Sequence, residues 1–585
     1  MSALFYLRAS LRRHARALLL GVLSAICANA VALIGPFILQ QAIDSLGHAR
    51  PAFALWGYAL LLVAAALAQA VFSFGTRWSI NGASRTIEYE LRNKLFAHFQ
   101  RLELGFFQQN KVGDLVARAT NDLSAVRMML GPGISGAVNT VVAFIATMTV
   151  MVRLDLHLAL LSGIFLPVIT VAFVLLRRRM ERLFRQVQDQ FGDISSAAQE
   201  NFSGIRVVKA YVQEEQEIAA FSLRNRDYLE RSMRYARVTA VLWPAMTLFA
   251  GLSVAVILWI GGTDVLDGGL TLGQFVQFNS YLGQLAWPMI ALGFSLNLFQ
   301  QGDASLSRLR DVLEREPEIA DRPTALVAGA PRMMDGAISF EHASVSYDDR
   351  TVLRDVSLHI PAGQTVAVVG PTGAGKSTLL NLLPRVIDAT AGRVAIDGVD
   401  VRDWPLDALR RQIGYVLQEN FLFSVPLREN IGYGVGEDDA TPEAVSAVAG
   451  TAQLSADIAD FPQGYDTTVG ERGVTLSGGQ KQRTALARAL MKSPRILLLD
   501  DALSSVDTRT EEHILRGLRE ARQGGTTTLI VSHRVSTVRD ADLIVVLDDG
   551  RIVEKGAHHA LIARGGLYAG MYRRQLLSEE MDAVR

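Results

Sequence analysis

Six apolar runs fill most of the first 299 residues. They are approximately Ala17–Gln40, Phe53–Phe74, Met129–Val152, Leu158–Leu176, Val241–Gly262 and Thr271–Phe299. Crossing a hydrocarbon layer of about 30 Å as a helix takes about 20 residues, and each run is near or above that length. A buried helix of a soluble protein seldom stays this apolar for so long, and six in series point to a membrane domain. The first run is too long for a cleaved signal, and no small-residue cleavage site leads from it into a soluble domain. Composition agrees: of 585 residues, 50% are hydrophobic and 20% charged. A formal net charge of +0 gives the whole chain no attraction for nucleic acid. The single cysteine, Cys27, lies within the first run, forms no disulfide within the chain and reads as a small packing residue.

Positive charge orients the runs. Arg8, Arg12, Arg13 and Arg16 precede the first, which places the N-terminus in the cytoplasm. The segments after the second and fourth runs are long and basic, carrying Arg85, Arg92 and Lys94 in one and Arg177, Arg178 and Arg179 in the other. Both belong on the inside. They have few helix breakers and a helical apolar period, so the membrane helices extend into the cytoplasm as two hairpins. Gly113 and Gly204 mark the expected turns at the tips, and a short helix at each tip is expected to dock on the soluble half. Six crossings return the chain to the cytoplasm. Glu314–Pro331 is polar, holds three prolines and reads as a linker between a membrane domain, 1–313, and a soluble domain, 332–585.

The soluble half alternates strand and helix patterns, as an α/β domain does. Its decisive segment is "VAVVGPTGAGKSTLL", a buried strand followed by Gly370, Pro371, Thr372, Gly373, Ala374, Gly375, Lys376, Ser377 and Thr378. This fits the phosphate-binding loop pattern G-x-x-x-x-G-K-S. The glycines let backbone N–H groups close around phosphate oxygens, and the next helix offers its positive end. Lys376 reaches the terminal phosphates and Ser377 is placed to ligate Mg2+.

Further on, "LSGGQKQRTALARAL" opens a helix with Leu476, Ser477, Gly478, Gly479 and Gln480, shortly before the apolar strand "ILLLDD". Here the sequence resembles the ATP-binding cassette (ABC) family, in which this signature touches ATP held by the other subunit's phosphate loop. The resemblance implies further roles. Tyr347 stacks on adenine, Gln418 contacts Mg2+, and Asp500 holds Mg2+ through water. His533 contacts the γ-phosphate. Asp507 in "SSVD" crosses the dimer interface, and Glu471 in "TVGERG" lies in a motif that touches the hairpin tips. The whole chain resembles the exporter-type half-transporters. The fold class expected is therefore a six-helix transmembrane domain with long cytoplasmic extensions, followed by an α/β nucleotide-binding domain.

One departure stands out. Where most of the family has a Glu that polarises the attacking water, this chain has Asp501. Its carboxylate is one methylene shorter, roughly 1.5 Å of reach. A misplacement of about 1 Å is enough to slow a reaction on the order of a hundredfold. The resemblance then implies a heterodimer: this chain's site binds ATP but hydrolyses it slowly, and the intact signature completes a competent site on a second half-transporter. A homodimer is the alternative. Amides in the last run (Gln274, Gln277, Asn279, Gln284, Asn297) and aromatics such as Phe72, Phe74, Trp243, Phe249, Phe275 and Trp287 suit amphipathic drugs or lipids. Two rivals share these features: an importer built on the same fold, and an ATP-binding subunit that gates a partner. The membrane expected is a bacterial inner membrane.

Overall fold

The computed structural model describes residues 6–46, 55–323, 333–347, 350–436, 438–470, 476–521 and 525–583, with backbone alone over 161–178 and 578–583 and at 242, 243, 245, 246, 249, 250, 253, 286, 287, 289, 290, 535 and 536. The chain divides into two compact units, Met1–His98 with Gly113–Arg315, and Phe99–Val112 with Glu316–Arg585. The stretch Phe99–Val112 therefore goes with the soluble unit, although it lies inside the first half of the sequence.

In the first unit the described part of each apolar run lies largely within a long helix. These are α1 (Ala15–Leu46), α2 (Leu55–Phe99), α3 (Ile134–Leu154), α4 (Leu156–Ser203), α5 (Glu214–Leu266) and α6 (Leu272–Leu313). The third run starts one turn earlier, in a wide π-helical turn over Met129–Gly133 that holds Pro132. Three stretches, Ala15–Leu46, Leu55–Phe99 and Val112–Leu154, contain windows of mean hydropathy 2.4, 1.9 and 1.7, enough to cross a membrane by length and composition. Helices α2, α4 and α5 have 45, 48 and 53 residues. At 1.5 Å per residue they are about 65–80 Å long, over twice a hydrocarbon thickness, as the helical hairpins require.

Helix α6 runs along α1 and α3, and α4 pairs with α5. Polar contacts fix the α1–α6 seam. Asp44, near the end of α1, accepts from Thr271 Oγ1 at 3.0 Å and from the Gly273 amide at 2.9 Å. A carboxylate at a helix N-terminus satisfies amides that lack an intrahelical partner. Midway, the Tyr281 hydroxyl donates to the Leu33 carbonyl at 2.7 Å, three residues before Pro36 inside α1. This bond joins α6 to α1 next to the proline, whose missing N–H deprives the Ala32 carbonyl, four residues back, of its intrahelical donor.

One expected turn differs. Gly113 lies inside a short helix, Val112–Ala117, and the chain bends instead around Leu104–Gln109, whose flanking residues Glu103 and Asn110 are extended. Gly113 has no positive φ, so nothing there calls for glycine. Gly204 does sit at a break, capping α4 before the short helix Ile205–Ala210.

The second unit holds two sheets. A four-stranded antiparallel sheet has the order β2-β1-β4-β5, from β1 (Ile338–Tyr347), β2 (Arg350–Ile360), β4 (Ala391–Ile396) and β5 (Val399–Asp400). The larger sheet has the order β10-β9-β3-β8-β7-β6, from β3 (Thr365–Val369), β6 (Ile413–Val416), β7 (Ile496–Asp500), β8 (Thr527–Val531), β9 (Leu543–Asp548) and β10 (Arg551–Gly556). Five of its strands are parallel and β10 is an antiparallel edge. Every residue of β7 and β8 is buried, as expected for a parallel sheet covered on both faces. Parallel strands align their C-terminal ends along one edge, where ligands bind in open α/β sheets. The loops after β3, β6, β7 and β8 all leave from that edge.

Candidate nucleotide-binding site

The loop after β3 turns sharply into helix α7 (Lys376–Asn381). Two of its glycines are required by space. A Cβ on Gly370 would stand 2.0 Å from the Leu547 carbonyl oxygen, and one on Gly375, at φ +97°, would stand 2.8 Å from Leu353 and 3.0 Å from the Val352 carbonyl. The loop is pressed between the two sheets. Lys376, 7% exposed, donates from Nζ to the carbonyls of Gly370 at 2.9 Å and Pro371 at 2.8 Å. Its ammonium thus lies folded into the loop that phosphate would occupy. Burial lowers the Lys376 pKa, against the charges of Asp500 and Asp501, which raise it.

An open cleft of about 220 Å³ is lined by Thr372, Gly373, Gly375, Lys376, Ser377 and Thr378 from this loop, with Gln418, Asp500, Asp501 and His533. The four segments come from the ends of β3, β6, β7 and β8. Val352 and Val531 complete the wall; as ordinary strand valines they carry no sequence signal for a site. Asp500 is 3% exposed. Burial raises its pKa, and Asp501's charge adds to this; a hydrogen bond with Ser377 and the charges of Lys376 and His533 pull the other way. Ser377 and Asp500 are thus already paired as the two ligands of a shared cation would be.

Asp501 sits at φ +49°, in the left-handed region, while its amide still donates to the Val531 carbonyl at 3.0 Å. Asp tolerates this backbone better than most side chains. The twist ends strand pairing and turns the chain into Ala502–Val506. Tyr347 ends β1 and is 42% exposed; burial raises its pKa, and its hydroxyl is hydrogen-bonded with Thr378 beside the phosphate loop. It does not line the cleft itself.

The signature opens helix α8 (Gly478–Met491). Ser477 caps it: Oγ accepts from the Gln480 amide at 3.2 Å, and Gln480 Oε1 accepts from the Ser477 amide at 2.9 Å. Gln480 also donates to Asp457 Oδ1 at 2.9 Å. Leu476, Ser477, Gly478, Gly479 and Gln480 are not among the residues lining the cleft. Asp507 caps the next helix, α9 (Thr508–Ala521), its Oδ1 accepting from the Thr510 amide at 3.0 Å. That hydrogen bond lowers its pKa. Glu471 lies outside the described residues. Sequence reasoning passed over Gln482, Glu511, Arg534 and Thr537, which hold the Ser504–Asp507 turn.

Residues 18–289 match the ABC transporter transmembrane region family and 353–504 match the ABC transporter family. The "Probable multidrug resistance ABC transporter ATP-binding/permease protein YheI" of Bacillus subtilis (strain 168) is 38% identical over 94% of this chain and 93% of its own length. An "ATP-dependent lipid A-core flippase" of Syntrophus aciditrophicus (strain SB) is 34% identical over 97% of this chain and 94% of its own. A solved structure, that of a bacterial Atm1-family ABC exporter with ATP bound, superposes with a TM-score of 0.79 at 31% identity. It covers 97% of this chain and 99% of the other. With both halves matched in order along nearly its whole length, the chain belongs to the ABC transporter family, as a multi-pass membrane protein with an ATP-binding domain behind its membrane domain.

Proposed function

We propose that this chain is one half of a dimeric exporter that uses ATP to move amphipathic compounds, drugs or lipids, across a membrane by alternating access. The observation that carries the reading is the gathering of Lys376, Ser377, Asp500, Asp501 and His533 at one cleft of a unit fused to membrane-spanning helices. The names of the relatives, a probable multidrug resistance transporter and a lipid A-core flippase, support the substrate class. The membrane is a bacterial inner membrane with both termini cytoplasmic, which the basic segments support.

Lys376 leaves its loop carbonyls for the β and γ phosphates, and the loop amides hold the remaining oxygens. A hydroxyl, a carboxylate and an amide oxygen, from Ser377, Asp500 and Gln418, suit a hard cation. Bound there, Mg2+ offsets charge on the phosphate oxygens. Asp501 orients the attacking water and His533 approaches the γ-phosphate. Tyr347 stacks on adenine. The signature stands apart from the cleft, which supports completion of each site by a second chain. ATP then favours the closed pair of nucleotide-binding domains, and the hairpin tips carry that shift to the membrane helices. Glu471 and Asp507 serve these interfaces.

Asp501 is too short to place water well, so this chain's own site turns over slowly. Its intact signature serves a partner half-transporter that carries Glu, which makes the natural assembly a heterodimer. The same residue favours one other reading, an ATP-binding subunit that regulates a partner.

Inside-out vesicles from cells expressing the chain, with its partner once identified, test the reading. ATP is expected to drive uptake of a fluorescent amphipathic dye or lipid analogue, and Lys376→Ala to abolish it. Uptake that needs right-side-out vesicles would make the protein an importer. ATP binding without any transport would favour the regulatory reading.

A further inference from the structure

The turn Ser504–Asp507 is held from two sides. From the signature helix α8, Gln482 Nε2 donates to Ser504 Oγ and Gln482 Oε1 accepts from the Ser505 amide, both at 2.8 Å. At the start of that helix, a Cβ on Gly479 would stand 2.9 Å from the Ser505 carbonyl oxygen. The turn therefore lies directly against the signature. From the opposite side comes Arg534, the residue after His533. Its Nη2 donates to the Ser504 carbonyl and its Nη1 to the Val506 carbonyl, both at 2.9 Å.

The same Nη1 donates to Glu511 Oε2 at 2.9 Å. Glu511 is 2% exposed. Its other oxygen accepts from Thr537 Oγ1, and Thr537 Oγ1 in turn accepts from Ser532 Oγ at 3.2 Å. Ser532 Oγ also accepts from the Arg534 amide at 3.0 Å. The residues on both sides of His533 are thus fixed, while His533 itself is exposed at the cleft. A carboxylate this deep persists only with partners. A guanidinium fork can hold a carboxylate and two carbonyls at once, whereas an ammonium is a single point.

We propose that Arg534 is a positioning residue: anchored by Glu511, it grips the Ser504 and Val506 carbonyls and sets His533 according to where that turn lies. Movement at the signature end, which belongs to the other ATP site, is thereby felt at this chain's own cleft. The inference rests on the nucleotide reading above.

The test uses the full chain in lipid nanodiscs, with ATP affinity measured by equilibrium binding. Single-turnover hydrolysis of radiolabelled ATP, followed for hours, keeps slow variants measurable. Arg534→Ala is expected to keep the Kd within about twofold and to slow hydrolysis about tenfold or more. Arg534→Lys recovers only part of the loss. Glu511→Gln, which keeps an acceptor for the fork, loses less than Arg534→Ala. On a His533→Gln background, Arg534→Ala changes the rate by less than about twofold, because the two act as one unit.

An equal loss on both backgrounds would make Arg534 a merely structural residue and overturn the proposal. So would an unchanged rate, or a Lys variant as active as the natural chain when the Ala variant no longer binds ATP. In each of these cases the natural chain still binds ATP and the nucleotide reading stands. A natural chain that binds no ATP removes both.

Discussion

Asp500 shows how one residue trades stability for chemistry. Burial, with the adjacent Asp501, raises its pKa. The native state therefore takes up this proton more readily than the unfolded chain does. Ionised Asp500 is a cost to folding above the raised native value, and the cost is relieved as pH falls through it. Asp500→Asn removes the cost. The nucleotide-free variant is expected to have a higher Tm than the natural protein at about pH 8, with the difference shrinking on acidification. Its hydrolysis of ATP falls by about two orders of magnitude or more, since removing one charge-stabilising group is commonly worth that much. Thermal melts across pH, beside an ATPase assay, check both. A lower Tm at alkaline pH would show that the hydrogen bond with Ser377 outweighs burial. The place of Asp500 at the end of a buried strand was legible from an apolar run ending in an acid. The left-handed backbone of the next residue was not, because nothing in "LDDA" announces a positive φ.

At the scale of elements, strand ends build the cleft. The residues at 376, 418, 500 and 533 are far apart in sequence but each ends or follows a parallel strand, which brings them to one edge; strand patterns pointed to that edge, and the family resemblance picked out Gln418. The clamp on the Ser504–Asp507 turn was not legible. Its parts are a Gln, a Glu, a Thr and an Arg of ordinary appearance, joined only when α8, α9 and the end of β8 pack together. The expected bend at Gly113 failed for a related reason: a glycine with helical φ and ψ is no signal by itself. The close approach of α8 to the turn gives a prediction. Gly479→Ala pushes a methyl to within 2.9 Å of the Ser505 carbonyl oxygen, and backbone has to shift. ATP affinity at this chain's own loop is expected to stay within about twofold, while hydrolysis at the site this signature completes falls about tenfold or more. Nucleotide binding and turnover, measured on the same assembled dimer, separate the two. A variant with unchanged turnover would mean that the turn yields freely.

For the whole molecule, long apolar helices and a strand-edge cleft belong to one chain of the ABC transporter family, and its own residues bear on how fast it runs. The six apolar runs were readable because a hydrocarbon layer imposes length and composition at once. Which unit the stretch Phe99–Val112 joins was not, because that depends on tertiary contacts such as the Glu318 amide donating to Glu103 Oε2 at 3.2 Å. The central claim is that Asp501 sets the pace of the ATP site. Glu at a left-handed position should cost about 1 kcal/mol or less relative to Asp, so Asp501→Glu is expected to fold. The decisive measurement is ATP hydrolysis by the purified chain in lipid against that variant. The account predicts a slow natural chain and a gain of about tenfold or more in the variant, which sends the search to a partner that carries Glu. A natural chain that turns over rapidly, with a variant no faster, would contradict it and make Asp501 a working base in a homodimer.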